Sequence, residues 1–279
     1  MYIQDFLKSL TLTLLIGTPF VALLIYVIET CGDHFYVYAW LLLFTFSVFM
    51  MSVYPSFIMP MFNKFTPLPD GELKDRIVSL CKGIDYPLKK MYIIDGSKRS
   101  SHSNAFMFGF GSNKRIVLFD TLLDQVDNDE IVSIVGHELG HWALSHTMYN
   151  FIITQVYFAI AFYSFGFFYT ENGIYSSFGF EGSAPTIVKL LLFTQTIWSP
   201  VDKIISFLLT LHSRSCEYAA DHYSNTTLGT TSLRSALVTI QLENLGSLKC
   251  DWLYSMYHHS HPTLKERLAR MDSDDKKVD

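Results

Sequence analysis

The stretch IVSIVGHELGHWALSH, residues 131–146, combines an apolar, helix-compatible run with His137, Glu138 and His141. On a helix, residues four apart lie about 40° from each other around the axis, so the two imidazoles face the same way. Two neutral imidazoles on one face can each ligate a tetrahedral Zn²⁺. Glu138 lies about 100° round from His137, within reach of a water on the metal. The pattern predicts a zinc site; the alternative is a helix that carries these three residues by chance.

A third protein ligand is required, because a catalytic zinc ion takes three protein ligands and keeps its fourth position for water. The best candidate is Glu217 in SRSCEYAAD, residues 213–221. Asp221 lies four residues further on and hence on the same helix face, where it could accept the outer N–H of a ligand histidine. From spacing alone, an exposed acidic face that pairs with Arg214 explains the two carboxylates equally well.

The other histidines give weaker signals. His146 is five residues beyond His141, off the ligand face of a continuous helix, and we expect it to make a polar contact at the membrane boundary. His258, His259 and His261 form a cluster near the C-terminus, and a structural role is the default for each of them. A zinc peptidase nevertheless needs a donor for the oxyanion, and an imidazole from a distant segment could supply it.

Long uncharged runs indicate a membrane protein. Residues 10–28 and 35–53 are two such runs of nineteen residues, the length of a membrane-spanning helix, joined by a connection short enough for a hairpin. Residues 147–170 form a third run, continuous with the motif helix, and residues 185–211 form a weaker fourth that contains Lys189. The sequence predicts a mainly α-helical, polytopic membrane protein with about four transmembrane helices.

Positive charge is distributed unevenly along the chain. Residues 54–146 and the segment after residue 211 hold 18 of the 21 Lys and Arg residues, whereas the loops at 29–34 and 171–184 hold none. By the positive-inside rule, the two motif-bearing segments face the cytosol.

Net charge and cysteine spacing argue against nucleic-acid binding and against a cysteine-based framework. A net charge of −5 without a basic block gives nucleic-acid binding no electrostatic support. The four cysteines are scattered without C-x-x-C spacing, so neither a disulfide framework nor a thiolate zinc site is indicated.

Residues 91–94, 103–108 and 115–119 predict the strands of a short β-sheet beside the motif helix. The charged end, residues 272–279, is predicted to be disordered.

Six blocks of the sequence resemble the CAAX prenyl protease 1 family, zinc-dependent integral-membrane endopeptidases of the endoplasmic reticulum. His-Glu-x-x-His alone is shared by many metallopeptidases, but six blocks in this order are more specific, and they extend over nearly the whole chain. The blocks are FTPLPDGELK (65–74), GSKRSSHSNAF (96–106), NKRIVLFDTLL (113–123), GHELGHW (136–142), SRSCEYAAD (213–221) and DWLYSMYHHSHPTLKERL (251–268).

The resemblance implies an activity and its site. One Zn²⁺ per chain would serve the removal of the C-terminal aaX tripeptide from prenylated CaaX proteins or peptides. The implied roles are the zinc ligands His137, His141 and Glu217, the catalytic residues Glu138 and His261, Asp221 behind the ligands, and the substrate-binding residues Asn104 and Arg267. The implied location is the membrane of the endoplasmic reticulum, or the inner nuclear membrane, with the lipid bilayer as a partner.

The uncharged runs and the motif positions, taken together with the resemblance, predict a domain organisation. Residues 1–60 would form a transmembrane hairpin, and residues 61–146 the first cytosolic part of a gluzincin-like protease domain that includes the short β-sheet. Residues 147–211 would form two transmembrane helices, and residues 212–279 the second cytosolic part, with the third zinc ligand and the tail.

The chain also departs from the family pattern. Family members typically have seven spans around a water-filled chamber, and this chain would begin near the fourth, so we expect it to lack the N-terminal spans. The arginine pair that many relatives carry before the ligand glutamate is here Arg214-Ser215. Two alternatives follow: a membrane quality-control metalloprotease, and a truncated, non-catalytic membrane adaptor, against which the intact Glu138 argues.

Overall fold

The structure, a computed structural model, describes residues 1–180 and 184–278. The helices are α1 (Tyr2–Leu12), α2 (Thr18–Thr30), α3 (Phe35–Val53), α4 (Met59–Phe62), α5 (Glu72–Gly83), α6 (Asp120–Gln125), α7 (Asn128–Ala143), α8 (His146–Tyr169), α9 (Asn172–Ser177), α10 (Thr186–Leu192), α11 (Ser199–His222), α12 (Leu233–Glu243), α13 (Trp252–His258) and α14 (Leu264–Val278). The strands are β1 (Phe65–Pro67), β2 (Leu88–Ile94), β3 (Ala105–Phe108) and β4 (Lys114–Phe119). The chain forms two compact units, the first from Met1–Val53 and Tyr149–Ile205, the second from Tyr54–Met148 and the chain from Ser206 onward.

Three helical stretches in the described residues are long and apolar enough to cross a membrane: Tyr2–Thr30, Gly32–Phe62 and His146–Tyr169. They confirm the prediction of a mainly helical, polytopic membrane protein, and the predicted number of helices agrees roughly. Residues 185–211, the weaker fourth candidate, form α10, a π-helical turn and the first half of α11. Lys189, Asp202 and Lys203 lower the apolar character of this segment.

The first unit packs around aromatic side chains and pairs several of its polar groups. Phe35, Phe165 and Trp198 belong to its buried cluster. Trp198 Nε1 donates to Tyr157 Oη (2.8 Å), which in turn donates to Asp202 Oδ1 (2.7 Å). Lys189 Nζ donates to the Tyr169 carbonyl oxygen (2.9 Å). These contacts satisfy groups that would be unfavourable against lipid.

The second unit contains a four-stranded sheet in the order β1-β2-β4-β3. β2 and β4 are parallel, with Met91 opposite Ile116, and the two outer strands are antiparallel to their neighbours. Three of these strands correspond to predicted ones. The fourth, β1, was not predicted, because it has only three residues and because Pro67 and the residues after it indicate a turn rather than a strand.

The C-terminal tail differs from its prediction. Helix α14 continues to Val278, so residues 272–278 are helical rather than disordered; Asp279 lies outside the described residues. The buried Met271 anchors this helix, and Arg234 pairs with Asp272 at 2.7 Å. A charged composition alone did not reveal these tertiary contacts.

Candidate metal centre

Helix α7 begins with a reciprocal cap that was not among the features predicted from the sequence. The Asp127 carboxylate accepts from the Glu130 backbone N–H (2.8 Å), and the Glu130 carboxylate accepts from the Asp127 backbone N–H (3.3 Å). Ile131, Val135 and Leu139, spaced four apart, are at most 1% exposed and pack into the core. Core packing on this face sets the rotation of the helix about its axis, and therefore the direction of its histidines.

His137, His141 and Glu217 converge in the second unit. The two Nε2 atoms lie 3.2 Å apart, and each lies 3.4 Å from one oxygen of the Glu217 carboxylate. One ligand atom from each of the three residues lies within 4.8 Å of the others. Spacing along α7 had already placed the two imidazoles together, whereas Glu217 comes from α11. The structure therefore brings the three predicted ligands into one group.

Small residues allow α7 and α11 to approach closely at this group. A Cβ atom on Gly140 would lie 3.0 Å from the Ala220 carbonyl oxygen and 3.1 Å from its Cα. A Cβ on Gly136 would lie 2.7 Å from Ser224 Oγ. Side chains at these positions would separate the segments, so the glycines permit Glu217 to reach the histidines.

Behind His137, Asp221 and Arg267 form an ion pair whose side chains are 3% and 11% exposed. His137 Nδ1 lies 2.8 Å from Asp221 Oδ1, while Arg267 donates from Nε to Asp221 Oδ2 at 2.8 Å and from Nη2 to Oδ1. Arg267 Nη2 also lies 3.4 Å from His137 Nδ1. The predicted place of Asp221 behind a ligand agrees with this geometry, and Arg267 contacts Asp221 through two nitrogens.

His146 is a neighbour of the site that sequence reasoning missed. Its Nδ1 lies 2.9 Å from His141 Nδ1, and its side chain is buried. The prediction of a continuous helix was wrong here, because α7 ends at Ala143 and α8 begins at His146. Helical periodicity placed His146 off the ligand face and contained no signal of the break.

The remaining predicted site residues lie at different distances from the group. Glu138, next to His137 on α7, is partly buried. His261 Nδ1 lies 3.0 Å from Glu217 Oε2, with its side chain 69% exposed. Asn104 is exposed just before β3, and in the described part of the chain its side chain bonds to the Ala105 N–H (2.8 Å) and not to the histidines.

The carboxylates of the site differ in their affinity for protons. Burial would raise the pKa of Glu217, but the close imidazoles of His137, His141 and His261 hold it far below its usual range. Burial also opposes ionisation of Asp221, yet hydrogen bonds from Arg267 and His137 lower its pKa. For Glu138, burial dominates and raises the pKa, although the neighbouring histidines oppose the shift. Glu138 is thus the carboxyl group best suited to accept a proton.

The imidazole of His137 is held between two carboxylates. Burial alone would lower its pKa, but the contacts with the Asp221 and Glu217 carboxylates outweigh burial and raise the pKa to about 9. The negative charge around this ring therefore favours a cation, either a proton or a metal ion.

A second network, absent from the sequence analysis, anchors the segment that carries His261. The buried Arg214 donates from Nη1 to Ser255 Oγ (3.1 Å) and from Nη2 to Glu266 Oε1 (2.6 Å). Glu266 Oε2 accepts from Ser255 Oγ (3.1 Å) and from Thr263 Oγ1 (2.7 Å). Arg214 pairs with this distant glutamate rather than with an acidic face of its own helix, so that alternative for Glu217 and Asp221 does not hold.

The donor set fits a zinc ion. Among the described residues, no donor reaches Glu217 Oε2 with hydrogen-bond geometry, although this oxygen is buried and His261 Nδ1 is 3.0 Å away. A buried carboxylate oxygen without such a donor, facing two imidazole Nε2 atoms, is satisfied by a cation. Two histidines and one glutamate are a common protein ligand set of catalytic zinc.

The chain matches two family models. Residues 67–275 match Peptidase family M48, and residues 1–64 match the description "CAAX prenyl protease N-terminal, five membrane helices". Together with the His–His–Glu group, the first match supports the predicted zinc cofactor. The second match agrees with the long apolar helices, and together they identify the chain as a multi-pass membrane protein.

Curated relatives and a solved structure are similar over almost the whole chain. "CAAX prenyl protease 1 homolog" of Arabidopsis thaliana is 45% identical, with 100% of this chain and 66% of the relative covered. The Homo sapiens protein of that name is 40% identical, with 97% and 65% covered. The crystal structure of S. mikatae Ste24p superposes with a TM-score of 0.92 at 40% identity, over 97% of this chain and 66% of that one. The chain thus spans somewhat less than two thirds of the length of these relatives.

Proposed function

The chain belongs to peptidase family M48 and to the CAAX prenyl protease 1 proteins within it, as its sequence blocks predicted, and we propose that it is a zinc-dependent membrane endopeptidase. Its proposed reaction is removal of the C-terminal aaX tripeptide from prenylated CaaX proteins. The observation that carries this proposal is the group of His137, His141 and Glu217, with Glu138 beside it and with His137 and Glu217 buried.

His137, His141 and Glu217 would hold the zinc ion through two imidazole nitrogens and a carboxylate oxygen. When bound, Zn²⁺ supplies Lewis-acid chemistry, because it lowers the pKa of a water to about 7 and polarises a carbonyl group. Asp221 accepts the outer N–H of His137, so the neutral imidazole carries its proton on Nδ1 and directs Nε2 at the site.

Glu138 would serve as the general base. It takes a proton from the water that attacks the carbonyl carbon of the prenylated cysteine residue, and returns it to the amine nitrogen as the peptide C–N bond breaks. Its pKa is raised, mainly by burial, which favours a carboxylate that accepts a proton.

His261 and Asn104 would interact with the substrate. The side chain of His261 combines exposure with a contact to Glu217, so an N–H of its imidazole could reach an oxyanion formed beside that ligand. Asn104 precedes β3, an edge strand of the sheet, which could pair main chain to main chain with an extended peptide. Arg267 is carried over as a substrate-binding residue, and its contacts support a further role in holding Asp221.

Selectivity for a lipidated substrate would come largely from the membrane location, since main-chain pairing reads few side chains. We place the protein in the membrane of the endoplasmic reticulum or the inner nuclear membrane, with the site on the cytosolic side. The concentration of Lys and Arg in the site-bearing segments supports this orientation.

The test uses the purified full chain in detergent, with its zinc content and its release of tripeptide from a farnesylated CaaX peptide measured together. We expect stoichiometric zinc in the wild type and in Glu138→Gln, with release by the variant reduced about 10²–10⁴-fold. A wild type without zinc, or an equally active variant, would contradict the mechanism. Equal cleavage of an unprenylated, unfolded membrane substrate would favour the quality-control alternative. Substrate processing that persists after a chelator has removed zinc would favour the alternative of a non-catalytic membrane adaptor.

A further inference from the structure

The ligand histidines make outer contacts of different kinds. His137 Nδ1 faces the Asp221 carboxylate at 2.8 Å, whereas His141 Nδ1 faces a nitrogen of another imidazole, His146 Nδ1, at 2.9 Å. The His141 and His146 rings meet edge to face, with centroids 5.0 Å apart. Because the second ring is buried, water does not readily replace this contact.

The turn between α7 and α8 produces this contact. Ser145 has a φ of 57°, in the left-handed region that non-glycine residues rarely adopt. The Leu144 N–H donates to the Gly140 carbonyl (3.0 Å) and the Ser145 N–H to the Trp142 carbonyl (2.9 Å), which closes α7. On an unbroken helix, residues five apart differ by about 140° around the axis and could not meet in this way. The break therefore returns His146 to the His141 ring.

A hydrogen bond between two imidazole nitrogens requires one donor and one acceptor. If His141 Nδ1 carries the proton, His141 Nε2 has a free lone pair directed at Glu217 and His137. The opposite arrangement would leave the proton of neutral His141 on Nε2 and block it as a ligand. Only an acceptor at His146 Nδ1 is therefore compatible with metal binding through His141 Nε2.

We propose that His146 is a positioning residue that accepts the Nδ1–H of His141 and so fixes the tautomer and the ring orientation of this ligand. His146 would do for His141 what Asp221 does for His137, with a neutral acceptor in place of a charged one. This inference rests on the zinc site proposed above. Outer-shell partners of metal-binding histidines typically change metal affinity about 10–100-fold when they are removed.

Two substitutions separate the acceptor from the packing of the ring. His146→Phe keeps a planar ring of similar shape but has no acceptor, and we expect its zinc affinity to fall about 10–100-fold. His146→Asn places an amide oxygen near the position of Nδ1, and we expect its affinity to stay close to that of the wild type. The metal-free melting temperature of each variant reports separately on packing.

The experiment measures zinc affinity of the full chain in detergent by competition with a chelator. Weak binding by the Phe variant, together with near-normal binding by the Asn variant, supports the inference. Tight binding by the Phe variant would overturn it, and so would weak binding by an Asn variant whose metal-free melting temperature is unchanged. Absence of zinc from the wild type would overturn the proposed function itself, and the inference with it.

Discussion

At the scale of single residues, Asp221 contacts both a ligand and a cation. It is 2% exposed, accepts from His137, and neutralises Arg267, whose side chain is only 11% exposed. We predict that Asp221→Ala lowers zinc affinity about 10–100-fold, because His137 loses the partner that orients it. The variant should also lose about 3–5 kcal/mol of stability, since Arg267 would keep a buried charge without its partner.

Zinc competition and thermal unfolding in detergent check both effects. Asp124→Ala is the matched control, because Asp124 is an exposed carboxylate in the same unit and should leave both quantities unchanged. An Asp221→Ala protein that binds zinc like the wild type would show that His137 is oriented by other contacts.

Glu266 should make stability depend on pH. Burial opposes its ionisation, but hydrogen bonds from Thr263 and the charge of Arg214 lower its pKa from the ordinary 4.5. Because the folded-state pKa is the lower one, this stabilisation is present above the unfolded-state value and is lost as pH falls through the folded-state value. We predict that Glu266→Gln is less stable than the wild type by about 1.5–3 kcal/mol near pH 7, with a smaller difference below about pH 4.

Melting temperatures of the wild type and Glu266→Gln between pH 3 and 7 measure this difference. Glu72→Gln, which alters a carboxylate with a side chain 75% exposed, is the control and should show no comparable change with pH. A difference between wild type and Glu266→Gln that stays constant over this range would contradict the assignment.

Spacing revealed some site residues and could not reveal others. His137 and His141 follow from a four-residue interval on one helix, and the pair Glu217 and Asp221 from the same rule. Spacing could not show that these two pairs, on two different helices, form one site. The family resemblance predicted this, and the structure brings the residues together. The partnership of Arg214 with Glu266 spans 52 positions and depends on how distant segments pack, which local patterns do not encode.

At the scale of elements, the contact between α7 and α11 depends on Gly140. An added methyl group would lie 3.0–3.1 Å from the Ala220 backbone, too close for both helices to keep their positions. We predict that Gly140→Ala destabilises the protein by about 1–3 kcal/mol through overpacking, and weakens zinc binding by moving Glu217 from the histidines.

Gly83→Ala serves as the control, because Gly83 ends α5 in the same unit and its added methyl group would meet no atom within 4 Å. Thermal unfolding and zinc competition on both variants give the comparison. Equal behaviour of the two proteins would mean that the helices separate without disturbing the site.

Element boundaries were the least predictable feature of the fold. Strands β2, β3 and β4 and helix α7 agree with their predicted positions to within a few residues, since period-two and helical patterns mark them. The end of α7 at Ala143 was not predicted, because the turn residues Leu144 and Ser145 are neither glycine nor proline, the residues that usually mark a turn. That one boundary decides where His146 lies.

At the scale of the whole molecule, hydropathy predicted the membrane helices, which local motifs did not reveal. Apolar length identified the three candidate spans, because a bilayer requires helices of about 20 residues irrespective of detailed packing. Whether residues 185–211 form a span is ambiguous from hydropathy alone. Their charged groups lower the hydropathy, although contacts within the protein can satisfy those groups. Lys189, bonded to the Tyr169 carbonyl and stacked 4.4 Å from that residue's ring, is such a case.

All the predicted metal ligands and their outer partners belong to the second compact unit. Zinc that binds only the folded site stabilises that unit, by about 4 kcal/mol when its concentration is a thousand times Kd. We predict that removing zinc with a chelator accelerates amide hydrogen exchange in α7 and in residues 213–222 and 251–267, and leaves α2 and α3 of the first unit unchanged. Hydrogen exchange with mass spectrometry on the full chain in detergent measures this, with a His137→Ala, His141→Ala double variant as the control in which the chelator should have no effect. Equal acceleration in α2 and α3 would show that the metal stabilises the membrane helices as well, and absence of any change in α7 would contradict a metal centre built on that helix.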